Sequence, residues 1–230
     1  GGIDVSGGAS LSLVDLTVEN PGQTAVRCSE GAHLQLRRAV VQGSGLGVEA
    51  YGCAELGVNA SRISGNRNDG LHIEAAEWRV VNTLILGNAF DAGAAASGVY
   101  LKGGRGSFSF NTVVGNGRMG ENGGGVSCTA GPERFITLSD SVIAGNQLGD
   151  LRSQLLGACR LERVVVGTDS VMGDGAIKLE PQLDPVTFRL TERSDCCIDR
   201  AQKDPMVQVD YDGTPRPQRA GHDIGFNELK

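Results

Sequence analysis

Two rows of side chains carry most of the chemistry available to this sequence. One runs Asp4, Arg27, Glu49, His72, Tyr100 and Ser127; the other runs Ser6, Ser29, Tyr51, Glu74, Lys102 and Thr129. Removing a proton next to a carboxylate needs a base at that proton and a cation to hold the charge that develops. His72, Tyr100, Lys102 and Arg27 are suitable residue types for those roles. The competing reading is that successive opposite charges such as Asp4, Arg27 and Glu49 are ordinary cross-strand pairs worth ~0.2–1 kcal/mol each. On that reading Glu49, Tyr51, His72, Glu74, Tyr100 and Lys102 form a polar surface that binds rather than reacts. A third group, Asp210, Asp212 and Asp223 beside Gly213, has oxygen ligands of the kind Ca²⁺ takes. Its spacing misses the EF-hand loop and the RTX nonapeptide, and Asp212-Gly213 reads more simply as a turn, with Arg216 pairing to a nearby carboxylate. No cofactor is expected.

These rows exist because the chain repeats. A small residue followed by alternating apolar and variable positions starts at residues 2, 25, 47, 70, 98 and 125, at spacings of 23, 22, 23, 28 and 27. Period-two alternation makes each copy a strand with one face inward. The inward columns are Ile3, Val26, Val48, Leu71, Val99, Val126 and Val5, Cys28, Ala50, Ile73, Leu101, Cys128. Further alternating stretches, Leu11-Ser-Leu13, Leu34-Gln-Leu36, Leu56-Gly-Val58 and Phe108-Ser-Phe110, add other strands to each period. With no helical pattern between them, the expected fold is all-β: a right-handed single-stranded parallel β-helix of six to seven coils. A leucine-rich repeat is the rival, but the other copies lack its leucine spacing and helix. Asn20, Asn66, Asn88, Asn116 and Asn146 recur at one corner, where Asn tolerates a left-handed turn and its amide reaches neighbouring coils. The longest periods place extra residues at one corner, 89–97 and 117–124, where they could wall a groove.

Composition agrees. There are 35 Gly, 7 Pro and 4% aromatic residues in 230, which suits short strands joined by tight turns. The net charge of −6 leaves no basic footprint for nucleic acid, and no apolar run is long enough to span a membrane. The chain opens on Gly1 with no signal-like stretch. Six cysteines without a CxxC spacing argue against a zinc ribbon and lean toward an oxidising compartment. Their pairing is open. Cys28 and Cys128 read as small buried residues, while Cys196 and Cys197 could tie to Cys159 or form a free buried pair.

Regularity loosens near residue 150, with 161–167 as a partial further coil. The expected division is therefore coils over 1–178 and a C-terminal capping segment over 179–230. That segment carries Leu183-Asp184-Pro185-Val186-Thr187-Phe188-Arg189-Leu190, Cys197-Ile198-Asp199, Asp210-Tyr-Asp212-Gly213-Thr-Pro-Arg216-Pro217 and Asp223-Ile224-Gly225. The series resembles the ending of bacterial cell-surface β-helix proteins of the choice-of-anchor Q type, within the pectin-lyase-like superfamily. Phe226-Asn227 departs from that pattern, and no sorting tail follows Lys230. The resemblance implies a secreted, periplasmic or cell-surface location and a structural or polysaccharide-binding role toward envelope glycan. In enzymes of that superfamily the sugar chain lies on an outward strand face, so a polysaccharide lyase or epimerase on the His72, Tyr100 and Lys102 face is the alternative. A piece of a larger adhesin is a third reading. Oligomeric state is not readable from the sequence.

Overall fold

The structure, a computed structural model, describes residues 2–91, 96–117, 123–129, 136–148, 151–152, 155–157, 159–167 and 174–230. Three parallel sheets wrap a tube. The first contains Ile3–Val5, Thr24–Ser29, Leu46–Tyr51, Leu71–Glu74, Ala96–Lys102, Gly123–Thr129 and Leu155–Gly157. The second contains Ser10–Val14, His33–Arg37, Glu55–Asn59, Glu77–Val81, Arg105–Ser109, Ile136–Ser139 and Cys159–Glu162. The third runs from Thr17–Val18 through Val40–Gln42, Arg62–Ser64, Leu84–Leu86, Thr112–Val114, Val142–Ala144 and Val164–Val166 to Ala176–Lys178. Each strand pairs with its equivalent one coil away, giving a right-handed parallel β-helix. Seven coils contribute to all three sheets, and the pairing continues in register past residue 150.

The register keeps like on like. Val26 stands over Ile3, Val48 over Val26, and Leu71 over Val48, and the columns from Val26 to Val126 and Cys28 to Cys128 are buried. In the second sheet Leu34, Leu36, Leu56, Val58, Trp78, Val80 and Phe108 complete the core. Trp78 fits because Gly106 is its partner on the next coil: a Cβ there would enter the indole ring.

Phe110 is different. Alternation with Phe108 places it in the tube, but its φ of 55° turns the chain at the corner between the second and third sheets. It packs instead with Val81 and Val207, outside the coil core. The same corner takes a left-handed residue in every coil: Asp15, Arg38, Ala60, Asn82, Phe110, Asp140 and Arg163. Stacked Asp and Arg then pair along the column, Arg38 Nε to Asp15 Oδ1 at 2.6 Å and Arg163 Nε to Asp140 Oδ1 at 2.7 Å.

Two internal ladders satisfy backbone that the turns leave unpaired. At the corner after the third sheet, the N–H of Asn66 donates to Asn88 Oδ1 (3.1 Å), that of Asn88 to Asn116 Oδ1 (2.9 Å) and that of Asn116 to Asn146 Oδ1 (3.0 Å). Ser44 continues the ladder, donating to Asn66 Oδ1 and accepting from Asn20. The left-handed conformation at this corner belongs to the preceding glycines, Gly65, Gly87, Gly115 and Gly145, rather than to the asparagines. At the opposite corner Thr83 donates to Asn111 Oδ1 and Asn111 to Ser141 Oγ.

Disulfides Cys28–Cys53 and Cys128–Cys159 staple adjacent coils at the corner between the first and second sheets. Cys28 and Cys128 are therefore cross-links, not merely small core residues, and Cys159 is not tied to the C-terminal segment. Cys196 and Cys197 are free and buried, their sulfurs 2.9 Å apart.

Residues 179–230 lie along the flank of the tube. Cys196, Cys197, Leu190 and Ile224 pack on Val142, Ala144 and Val165, outward residues of the third sheet. The Gly225 N–H donates to the Asp140 carbonyl and Asn82 Nδ2 to the Val209 carbonyl. Arg216, fully buried, pairs with Glu228 at 2.5 Å, donates to Asn82 Oδ1, and lies 4.6 Å from the Phe110 ring centroid. No helix among the described residues is long and apolar enough to cross a membrane.

Candidate functional site

The outward rows of the first sheet stand as the repeat places them. Arg27 lies beside Asp4 and Glu49, His72 beside Glu49 and Tyr100, and Tyr100 beside Ser127; Glu74 lies beside Tyr51, and Lys102 beside Thr129. Short strands held on both sides by parallel pairing fix these side chains at ~4.8 Å intervals.

Two charge clusters result. In the first, Arg27 Nε meets Glu49 Oε2 at 2.7 Å, and Thr24 Oγ1 donates to the same oxygen. The second centres on His72. Asp69, buried in the turn before the Leu71–Glu74 strand, places Oδ2 2.9 Å from His72 Nδ1, while its Oδ1 accepts the Ser97 N–H from the next coil at 2.6 Å. Glu74 Oε1 lies 3.4 Å from His72 Nε2, and Glu74 Oε2 lies 3.0 Å from Lys102 Nζ. Tyr100 stacks on the imidazole with centroids 4.5 Å apart and planes at 26°. The hydrogen bond to the Asp69 carboxylate pushes the His72 pKa up against the opposing pull of burial, and Glu74 adds to the rise. Glu74 also raises Lys102.

That geometry bears on the chemistry. A general base needs a neutral imidazole with an open nitrogen. Here both nitrogens face carboxylates, at 2.9 and 3.4 Å, and these contacts raise the pKa of the ring and occupy both of its nitrogens. Lys102 is likewise held in an ion pair. The face instead offers fixed donors and acceptors, with Tyr51 largely exposed and Tyr100 half-buried. Asp69 and Ser97 are members that the row pattern misses, since neither is at an outward strand position. The turn signal Asp69-Gly70, three residues before His72, could have found the first. Of the wall expected from 89–97 and 117–124, residues 92–95 and 118–122 lie outside the described residues.

A second concave region lies around the corner. Outward residues of the second sheet and residues 206–209 enclose a cleft of about 590 Å³. Its floor is Gly57, covered by the Gln35 side chain, whose Nε2 donates to Glu55 Oε1 at 2.9 Å. Arg37, Arg79, Arg105 and Glu77 rim it, and Met206, Val207 and Val209 form the wall.

The model of the family described as "Right handed beta helix region" matches residues 1–159. The chain belongs to this right-handed β-helix family. No curated protein and no solved structure gives a significant match.

In the C-terminal segment, the three aspartates weighed as calcium ligands are each engaged by different partners. Asp210 accepts from the N–H groups of Asp212, Thr214 and Glu228. Asp212 pairs with Arg189, which lowers its pKa. Asp223 accepts from the N–H groups of Asp199 and Leu229, and burial raises its pKa. Among the described residues no three such groups converge on a metal position.

Proposed function

We propose that this β-helix is a secreted or cell-envelope protein, of the choice-of-anchor Q type its C-terminal motifs resemble, which presents the outward face of its first sheet to polysaccharide without catalysis. The observation that carries the reading is the Asp69–His72–Glu74–Lys102 chain of ion pairs beside stacked Tyr100. It fixes hydrogen-bonding groups in place and leaves His72 no open nitrogen for taking a proton. Hydroxyl-rich ligands are held by such preset donors and acceptors next to aromatic faces. Two disulfides in a 230-residue chain suit an oxidising compartment.

The test is a panel of neutral and uronic-acid polysaccharides, scored by affinity electrophoresis and by absorbance of unsaturated sugar. Retention on at least one glycan, weakened by Tyr51→Ala or Tyr100→Ala and without unsaturated product, is expected. Unsaturated product whose formation is abolished by His72→Gln would establish the lyase alternative instead. No retention on any glycan would leave only a structural spacer.

A further inference from the structure

We propose that the cleft on the second sheet is a separate binding site for a linear carboxylated saccharide. Nothing in this depends on the first-sheet face, which points in another direction.

The cations of the cleft form a track. Arg37 is on the second coil at the last outward position of its strand, Arg79 on the fourth coil at the middle position, and Arg105 on the fifth at the first position. Gly57, on the third coil at the middle position, continues the line between Arg37 and Arg79. From Arg37 to Arg105 the track advances three coils, about 14 Å along the tube, and about four residues across the strands, about 13 Å. The cations thus run diagonally over roughly 20 Å, a length suited to an extended chain rather than a single small anion. Because the track crosses Gly57, no side chain of its own rises at that point, and the ligand would meet only the Gln35 amide.

The charges are available. The side chains of Arg37 and Arg105 make no hydrogen bond or ion pair with a described residue, and both are exposed. Arg79 reaches Asp204 only at 3.6 Å. Guanidinium groups grip carboxylates through paired N–H donors. On one side of the track Glu55 and Glu77 are acceptors for hydroxyls. On the other side the wall is apolar and anchored: Val207 packs with Val81 and Phe110, and the Val209 carbonyl is held by Asn82 at 2.7 Å. Met206 stands 74% exposed at its lip, offering an apolar surface to the hydrophobic face of a sugar ring. Carboxylates for the arginines, hydroxyls for the glutamates and a ring face for the wall together describe an acidic oligosaccharide.

The experiment is calorimetric and NMR titration of the intact protein with a short oligouronate and with its carboxyl-reduced, neutral counterpart. Binding of the oligouronate alone is expected, weakening as salt is raised, with amide shifts at Gly57 and at residues 206–209. Arg37→Gln and Arg105→Gln should each weaken it about tenfold, and the pair about a hundredfold. Arg219→Gln, at an exposed arginine that pairs with Glu192 outside the cleft, should leave it unchanged. Equal binding of the neutral counterpart, no binding of the oligouronate, or a loss with Arg219→Gln as large as with the cleft arginines would each overturn the proposal. A nucleic-acid oligomer competing for the same amides at equal affinity would overturn it too. Failure of the first-sheet glycan reading would leave all of these outcomes unaffected.

Discussion

Replacing Asn88 by alanine should destabilise the tube far more than any surface substitution. Asn88 is fully buried on the fourth coil. Its Oδ1 accepts from both the backbone N–H and the Nδ2 of Asn66, at 3.1 and 2.8 Å, and its Nδ2 donates to the Ile63 carbonyl at 3.0 Å and to Asn116 Oδ1 at 3.0 Å. Asn116 Oδ1 keeps the Asn88 N–H, and Asn66 Nδ2 keeps a longer bond to the Val41 carbonyl. The Asn66 N–H and the Nδ2 bond of the Ile63 carbonyl are lost outright. Each buried group so stranded costs about 1–3 kcal/mol, and the cavity left by the amide adds to it. The sum is about 3–5 kcal/mol, which for a chain of this length lowers the melting temperature by about 6–20 °C. Urea unfolding and thermal melts measure it, with Asn20→Ala as the comparison. Asn20 is only half-buried, on the first coil, and bonds through its amide to the Thr24 carbonyl alone. An Asn88→Ala loss below about 1 kcal/mol, or no larger than that of Asn20→Ala, would show that the ladder does not hold the coils together.

Three other perturbations test separate parts of the structure. Gly106→Ala should cost about 1–3 kcal/mol by overpacking, and its emission spectrum should shift, because Trp78 is the only tryptophan and the new methyl would press on its ring. His72 should titrate above the ordinary imidazole value of 6.5 by NMR, since Asp69 and Glu74 favour the cation. A raised folded pKa means the stabilisation is complete below the unfolded value and is lost as pH rises through the folded one; Asp69→Asn should bring the titration down, and a wild-type value at or below 6.5 would refute the pairing. Glu228→Gln should cost about 3–5 kcal/mol in urea unfolding, because it strands the Arg216 charge in a site from which water is excluded.

The coils were legible because a two-residue alternation repeated at nearly constant spacing admits few folds. It placed Val26, Val48 and Leu71 inside and Arg27, Glu49 and His72 outside. It misplaced Phe110, because a left-handed residue at the corner reverses the side chain that alternation assigns. Pairing of Cys28 with Cys53 and of Cys128 with Cys159 depends on which corners stack, which spacing alone does not determine. The second-sheet cleft was invisible for a related reason: its wall comes from residues more than a hundred positions away from its floor. A signal that the C-terminal segment covers the flank did exist. Val142-Ile143-Ala144 and Val164-Val165-Val166 are apolar without alternation, which marks strands covered on both faces. Asp69 escaped because a turn carboxylate has no periodicity to betray it.

The side-lying C-terminal segment also divides how the molecule assembles. Ladder bonds join residues 22 to 30 apart, so neighbouring coils can close on one another with modest loop entropy wherever stacking begins. The bonds from Asn82 to Val209 and from Arg216 back to Asn82 span 127 and 134 residues. They close a single large loop over surfaces that several successive coils must already have built. The contacts within the tube are local, whereas those of the last segment require the coils beneath it to be in register. A chain that slipped by one coil would leave Val142, Ala144 and Val165 bare to water, so the strap doubles as a check on the stacking.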